Sequence, residues 1–202
     1  MNVNRIFNVI QQHDDWCSGL DEGSIPPAWL TPAAKVAIFV LVYLLSGCDF
    51  LPAIYNMPFK RMLAFTMSVV CQVGLFTSPI LALDARGRWI GSVEDGVKLL
   101  AACYFQLHRN VFMTAVSRAA DMFAQSSQDV KSFVTNARET IWRVHGAQGK
   151  KNCPALDALE LHVKRGLSVI EYWQAAFDED MQIPDFRGRS WRSISGDSQQ
   201  KV

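Results

Sequence analysis

Apolar residues recur at helical spacing over most of the chain, and this pattern predicts a mainly α-helical, multi-helix protein with little or no sheet. Thr31 and Pro32 are typical of a helix start. The run that follows, to about Leu45, is apolar on every side, as expected of a buried helix. A second helix is expected to begin near Pro58, with Asn56 able to cap it. This second helix is expected to carry Val69, Val70 and Val73 and to end before 79, and further stripes predict helices over 92–118, 129–145 and 154–177.

Polar and turn-forming stretches divide the chain into three parts. We predict a short helix and loop over residues 1–30, a helical domain over 31–178, and a polar, disordered tail over 179–202. Residues 84–88 are expected to form a turn, and the chain shows no internal repeat.

Composition places the protein among globular domains. The chain has 202 residues, of which 50% are hydrophobic and 19% charged, enough to bury a substantial core and too apolar for global disorder. The formal net charge is only +1. Any surface for nucleic acid must therefore be local, because a general basic excess is missing.

The cysteine pattern argues against a zinc site and against a disulfide framework. The five cysteines include no Cys-x-x-Cys pair and form no ligand pattern with the four histidines. We expect most of them to be small apolar fillers in a reducing compartment. The first residues lack the apolar core of a secretory signal, so the expected location is intracellular, nuclear or cytoplasmic.

Two apolar runs, 36–45 and 64–83, raise the question of a membrane hairpin. The first run is too short to cross a bilayer, and the second contains seven residues that are polar, glycine or proline. Buried core helices explain both runs better, so a membrane-embedded hairpin stays the least favoured alternative.

Residues 46–61, here called the motif segment, carry the residues with the clearest chemistry. Gly47 and Asp49 follow the apolar helix directly, and Lys60 and Arg61 stand at the predicted start of the next helix. Glycine permits a sharp turn, and a carboxylate just beyond a buried helix is a firmly held, hard ligand of the type Mg²⁺ prefers. Cationic side chains at a helix start suit phosphate.

The motif segment resembles the metal-ligand loop and DNA-holding helical hairpin of flap-endonuclease-like (XPG/PIN-like) 5′ nucleases. In that family a buried helix ends in Gly-Cys-Asp-aromatic, followed by a glycine-rich turn and a Lys-Arg pair, and the related 5′→3′ exoribonucleases carry Gly-Asn-Asp-Phe-Leu-Pro. The resemblance covers about 30 residues. It implies that Asp49 is a Mg²⁺ ligand and that Asn56, Lys60 and Arg61 lie against the DNA or RNA backbone.

The match is incomplete. Asn56 and Pro58 stand where the family has glycines, and Asp49 alone represents its cluster of acidic ligands. One carboxylate does not hold two magnesium ions. We therefore expect a truncated or degenerate relative of a metal-dependent, structure-specific nuclease, of the kind mobile elements leave behind and without its N-terminal half. Such a chain would be inactive alone, without an assignable catalytic residue, and would bind nucleic acid weakly and without sequence preference.

Two other interpretations stay open. The chain could be a non-catalytic helical interaction module, with Gly47 as an ordinary helix end, Asp49 as a cap and the Lys-Arg pair simply solvated. The membrane hairpin is the other. The histidines on helical stripes are expected to be structural, and Trp142 and Trp173 are expected to lie in the core.

Overall fold

The computed structural model describes residues 26–48, 51–112, 116–146 and 153–176. The helix-like pattern in residues 1–12, the predicted tail over 179–202, and Asp49 and Phe50 lie outside the described residues.

The described residues confirm a mainly helical fold with one small sheet. The strands pair antiparallel across the predicted turn at 84–88, with Leu81 opposite Gly91 and Leu83 opposite Trp89. The elements in chain order are α1 (Pro32–Leu45), α2 (Phe59–Val69), β1 (Leu81–Leu83), β2 (Trp89–Gly91), α3 (Val93–Leu107), α4 (Arg109–Phe112), α5 (Ala119–Gln125), α6 (Val130–His145) and α7 (Leu156–Ala175).

Helix α3 forms the centre of the core. Ser92 caps it as predicted, since its Oγ accepts a hydrogen bond from the backbone N–H of Asp95 at 3.2 Å. Beyond the first turn nearly every residue is buried, including Tyr104 and Phe105. Helices α2, α6 and α7 pack around α3, so its apolar surface is covered on all sides.

Helix α1 confirms the predicted start and the predicted end. Thr31 accepts a hydrogen bond from the backbone N–H of Ala34 at 3.2 Å, and the helix ends at Leu45. It packs against α2, α7 and β1, which buries most of its length. Within the described residues, no helix is both long enough and apolar enough to cross a membrane.

Two predicted helix ends are wrong. Helix α2 stops at Val69, and Val73 is 61% exposed next to a turn at Gly74, where the backbone φ is +89°. The long helix predicted over 92–118 breaks at His108. After this break the chain folds back and stacks Phe112 on Phe105, with ring centroids 4.6 Å apart. Burial of an aromatic ring against α3 thus overrides continuous helical propensity.

Trp142 is 43% exposed, so its predicted place in the core is wrong. The buried stripe of α6 includes Ile141, and the next residue along a helix is rotated by about 100°, away from the core. Trp173 is packed against the core.

The buried cysteines differ in whether their sulfur is free or disulfide-bonded. Cys103 and Cys153 are buried fillers, as predicted, and burial raises the pKa of each thiol to about 12. Cys71 is buried but disulfide-bonded, so it is an exception to the expectation that most of the cysteines are free apolar fillers.

Candidate nucleic-acid interface

The motif segment begins with a tightly closed helix end. The backbone N–H of Ser46 donates to the carbonyl of Val42, and that of Gly47 donates to Leu44. Gly47 has a φ of +106°, and a Cβ placed there would lie 2.4 Å from the Cα of Ala53. Only glycine fits, because both the backbone angle and the close approach of residue 53 exclude a side chain.

The residues that flank Asp49 and Phe50 in the sequence are joined by two backbone hydrogen bonds. Cys48 donates its backbone N–H to the carbonyl of Leu51 at 3.0 Å, and Leu51 donates back to Cys48 at 3.1 Å. The Leu51 side chain is buried and anchors the far end of this bridge. Asp49 and Phe50, which lie between the bridged residues in sequence, are outside the described residues, so the metal role of Asp49 stays a prediction.

The turn before α2 contains Asn56 in a left-handed conformation, with a φ of +58°. This is a region that glycine adopts freely and asparagine tolerates better than most residues. Asn56 does not cap α2, contrary to the prediction, because its backbone is committed to this turn. Pro58 occupies the N-cap position instead, with an extended backbone and no N–H to satisfy.

Two of the three predicted contact residues, Asn56 and Arg61, are joined by a hydrogen bond at the first turn of α2. The guanidinium of Arg61 donates from Nη1 to the backbone carbonyl of Asn56 at 2.9 Å. Lys60, next to Arg61, is exposed. The Arg61 bond uses one of five guanidinium N–H groups, so the others stay available to a phosphate.

The backbone at the start of α2 is also suited to an anion. Within the described ranges no side chain caps this helix. Among the described residues, no acceptor is found for the backbone N–H groups of Phe59 and Lys60. These donors lie at the N-terminal end of α2, where the helix dipole is positive.

Aromatic side chains surround the cationic turn, and the sequence pattern did not single them out. Phe59 packs edge-to-face against Phe39 and Tyr43 of α1, with centroid distances of 5.2 and 6.0 Å. Tyr43 is nevertheless 46% exposed, and Tyr55, beside Asn56, is 56% exposed. The tyrosine within the otherwise wholly apolar run 36–45 was the one available signal, because it marks a side of α1 that reaches solvent.

His162 of α7 contacts the end of α1. Its Nε2 is hydrogen-bonded to the carbonyl of Leu45 at 2.7 Å. Burial lowers the pKa of the His162 imidazole; Arg165 lowers it further, and the bond to Leu45 opposes both. This histidine is structural, as predicted, and it fixes the helix end from which the motif segment leaves.

No cluster of three or more histidine, cysteine or acidic side chains able to hold a metal lies within the described residues. Asp49 is not among them, so its proposed ligand role is separate from this finding.

No family model matches the chain, and no significantly similar curated protein or solved structure was found.

Proposed function

We propose that the chain binds the sugar-phosphate backbone of DNA or RNA through the motif segment, and that it is a degenerate relative of the metal-dependent, structure-specific nucleases. Asn56, Lys60 and Arg61 form the backbone contact in this proposal. Asp49 is the remaining Mg²⁺ ligand of the lineage, and one such carboxylate leaves the chain without nuclease activity of its own.

The observation that carries the proposal is the hydrogen bond between Arg61 and the Asn56 carbonyl. This bond fixes a guanidinium at the start of an uncapped helix, next to an exposed lysine. A phosphate placed there would meet two cationic side chains, free backbone N–H groups and the positive end of the helix dipole. None of these groups reads a base, so the contact would be independent of sequence and sensitive to salt.

Binding of a labelled short oligonucleotide at several salt concentrations tests this assignment. Lys60→Ala with Arg61→Ala should weaken binding and reduce the magnitude of the negative slope of log affinity against log salt by about 2. The matched control is Lys131→Ala with Arg143→Ala, which removes the same charge from exposed positions on α6. Equal slopes for the wild type and the Lys60/Arg61 variant would overturn the proposal, as would an equal change in the control.

A second candidate is a non-catalytic helical interaction module. The exposure of Tyr43 and Tyr55 favours it, because tyrosine is enriched where proteins contact one another. In that case affinity for the partner protein would depend on these rings, and nucleic acid would not bind through Lys60 and Arg61.

A further inference from the structure

Tyr43 of α1 presents an aromatic ring to solvent near the start of α2. The residue is 46% exposed, although most of α1 is buried. Its backbone belongs to the last turns of the helix, and its carbonyl also accepts a hydrogen bond from the hydroxyl of Ser46 at 3.0 Å. The exposed ring therefore projects from a rigid element, and helices hold binding groups more precisely than loops do.

Phe59 connects the Tyr43 ring to the cationic side chains of α2. The two rings pack edge-to-face, with centroids 6.0 Å apart and ring planes at 76°. In such a pair one ring contacts the other with its edge, so Phe59 covers at most one face of the Tyr43 ring. Phe59 is the first residue of α2, and Lys60 follows it directly. An accessible aromatic surface and the cationic start of α2 are therefore neighbours.

The charge around this surface suits a polyanion. From Pro32 to Val69, the span of α1, α2 and the link between them, the sequence contains Lys35, Lys60 and Arg61 and a single carboxylate, that of Asp49. Lys60 and Arg61 are both exposed. Nucleic acid combines a phosphate chain with flat bases, and aromatic rings beside cationic groups are the usual platform for a single strand. The pairing of Tyr43 with the start of α2 has both components.

We propose that Tyr43 is a stacking platform for one unpaired base of a nucleic-acid strand whose phosphates contact Lys60 and Arg61. The proposal rests on the proposed function and assigns its ligand as nucleic acid with unpaired nucleotides. Within a duplex both faces of a base are covered by its neighbours, so only an unpaired base can stack on a protein ring. Every base has a π-face, so the contact does not select among the four bases.

Binding of a short labelled single strand, measured by fluorescence anisotropy, tests the proposal when an abasic strand of the same length is compared. The abasic strand keeps the phosphates and offers no base to stack. Tyr43→Leu keeps apolar bulk and removes the aromatic face, whereas Tyr43→Phe keeps the face and removes the hydroxyl. Trp142→Leu is the matched control, because Trp142 is 43% exposed and lies on α6.

We expect Tyr43→Leu to weaken binding of the ordinary strand about fivefold, the lower end of the effect of one stacked base. Its affinity for the abasic strand should equal that of the wild type. The slope of log affinity against log salt should not change, because the tyrosine ring carries no charge. Tyr43→Phe and Trp142→Leu should bind both strands as the wild type does.

Equal affinity of the wild type and Tyr43→Leu for the ordinary strand would overturn the stacking platform. Equal losses for the ordinary and abasic strands would also overturn it, as would a Tyr43→Phe variant as weak as Tyr43→Leu. The proposed function would survive these results if Lys60→Ala with Arg61→Ala still reduced the magnitude of the salt slope. Failure of the wild type to bind either strand would overturn both proposals and leave a protein partner as the ligand of the exposed Tyr43.

Discussion

Replacing Gly47 by alanine perturbs the motif segment where its backbone is most crowded. Two separate costs follow from the structure. The φ of +106° is sparsely populated for a residue with a side chain, which costs about 1–3 kcal/mol. The new Cβ would also lie 2.4 Å from the Cα of Ala53, where ordinary contact begins near 3.4 Å. Forcing the two strands of backbone apart by this amount costs about another 1–3 kcal/mol.

Gly74 provides the matched control, because its φ is +89° and a Cβ there would meet nothing within 4 Å. Gly74→Ala should therefore show the backbone cost alone. We expect Gly47→Ala to lower the free energy of unfolding by about 4 kcal/mol, and by about 1–3 kcal/mol more than the control. Ala53→Gly should not rescue the variant, since the clash includes the Cα and N atoms of residue 53.

Urea unfolding followed by circular dichroism measures these differences, with equal slopes against denaturant as the check that the folded state is the same. Losses of equal size for Gly47→Ala and Gly74→Ala would refute the close approach between residues 47 and 53. Rescue by Ala53→Gly would instead place the contact at a side chain, and the turn would then tolerate residues other than glycine.

Three further predictions concern single side chains near the site. The free energy of unfolding should be highest above pH 6.5 and fall as the pH drops toward the lowered pKa of His162, because the imidazole takes up its proton in the unfolded chain first. Urea unfolding at several pH values measures this fall. The part of it that is due to His162 should be absent in His162→Gln. A wild-type profile that rises toward acid over the same window would contradict this. Tyr104→Phe should keep or raise the free energy of unfolding, since it removes a buried hydroxyl that has no partner among the described residues. A loss above about 1.5 kcal/mol would mean that the hydroxyl is bonded. Asp49→Ala should be near neutral or stabilising in a thermal melt if it is an orphaned metal ligand, whereas a loss of about 0.5–2 kcal/mol in a protein that ignores millimolar magnesium would identify it as a cap.

The helical fold could be predicted from the chain because its determinants are local. Thr31, Ser92 and Asp129 each accept a hydrogen bond from a backbone N–H at the start of a helix, and such caps act within a few residues. The break at His108 could not be predicted in this way. It depends on the stacking of Phe112 against Phe105, and nothing in the helical pattern indicates where that ring would be buried.

The same distinction between local determinants and long-range contacts applies to the candidate site. Gly47 and the pair Lys60-Arg61 are recognisable from their order after a buried helix. The hydrogen bond between Arg61 and the Asn56 carbonyl required the left-handed turn, and the contacts of Phe59 with α1 required the packing of two helices. Contacts between residues distant in sequence leave little local pattern, so the partners of the motif segment became visible only in the fold.

Mapping of backbone amide chemical shifts during titration with a short single-stranded oligonucleotide tests the central claim most directly. Binding through the motif segment should produce the largest shifts at the amides of Asn56, Phe59 and Lys60, and added salt should reverse them. Shifts that centre on α6, or an unchanged spectrum at low salt, would contradict a nucleic-acid interface at the start of α2.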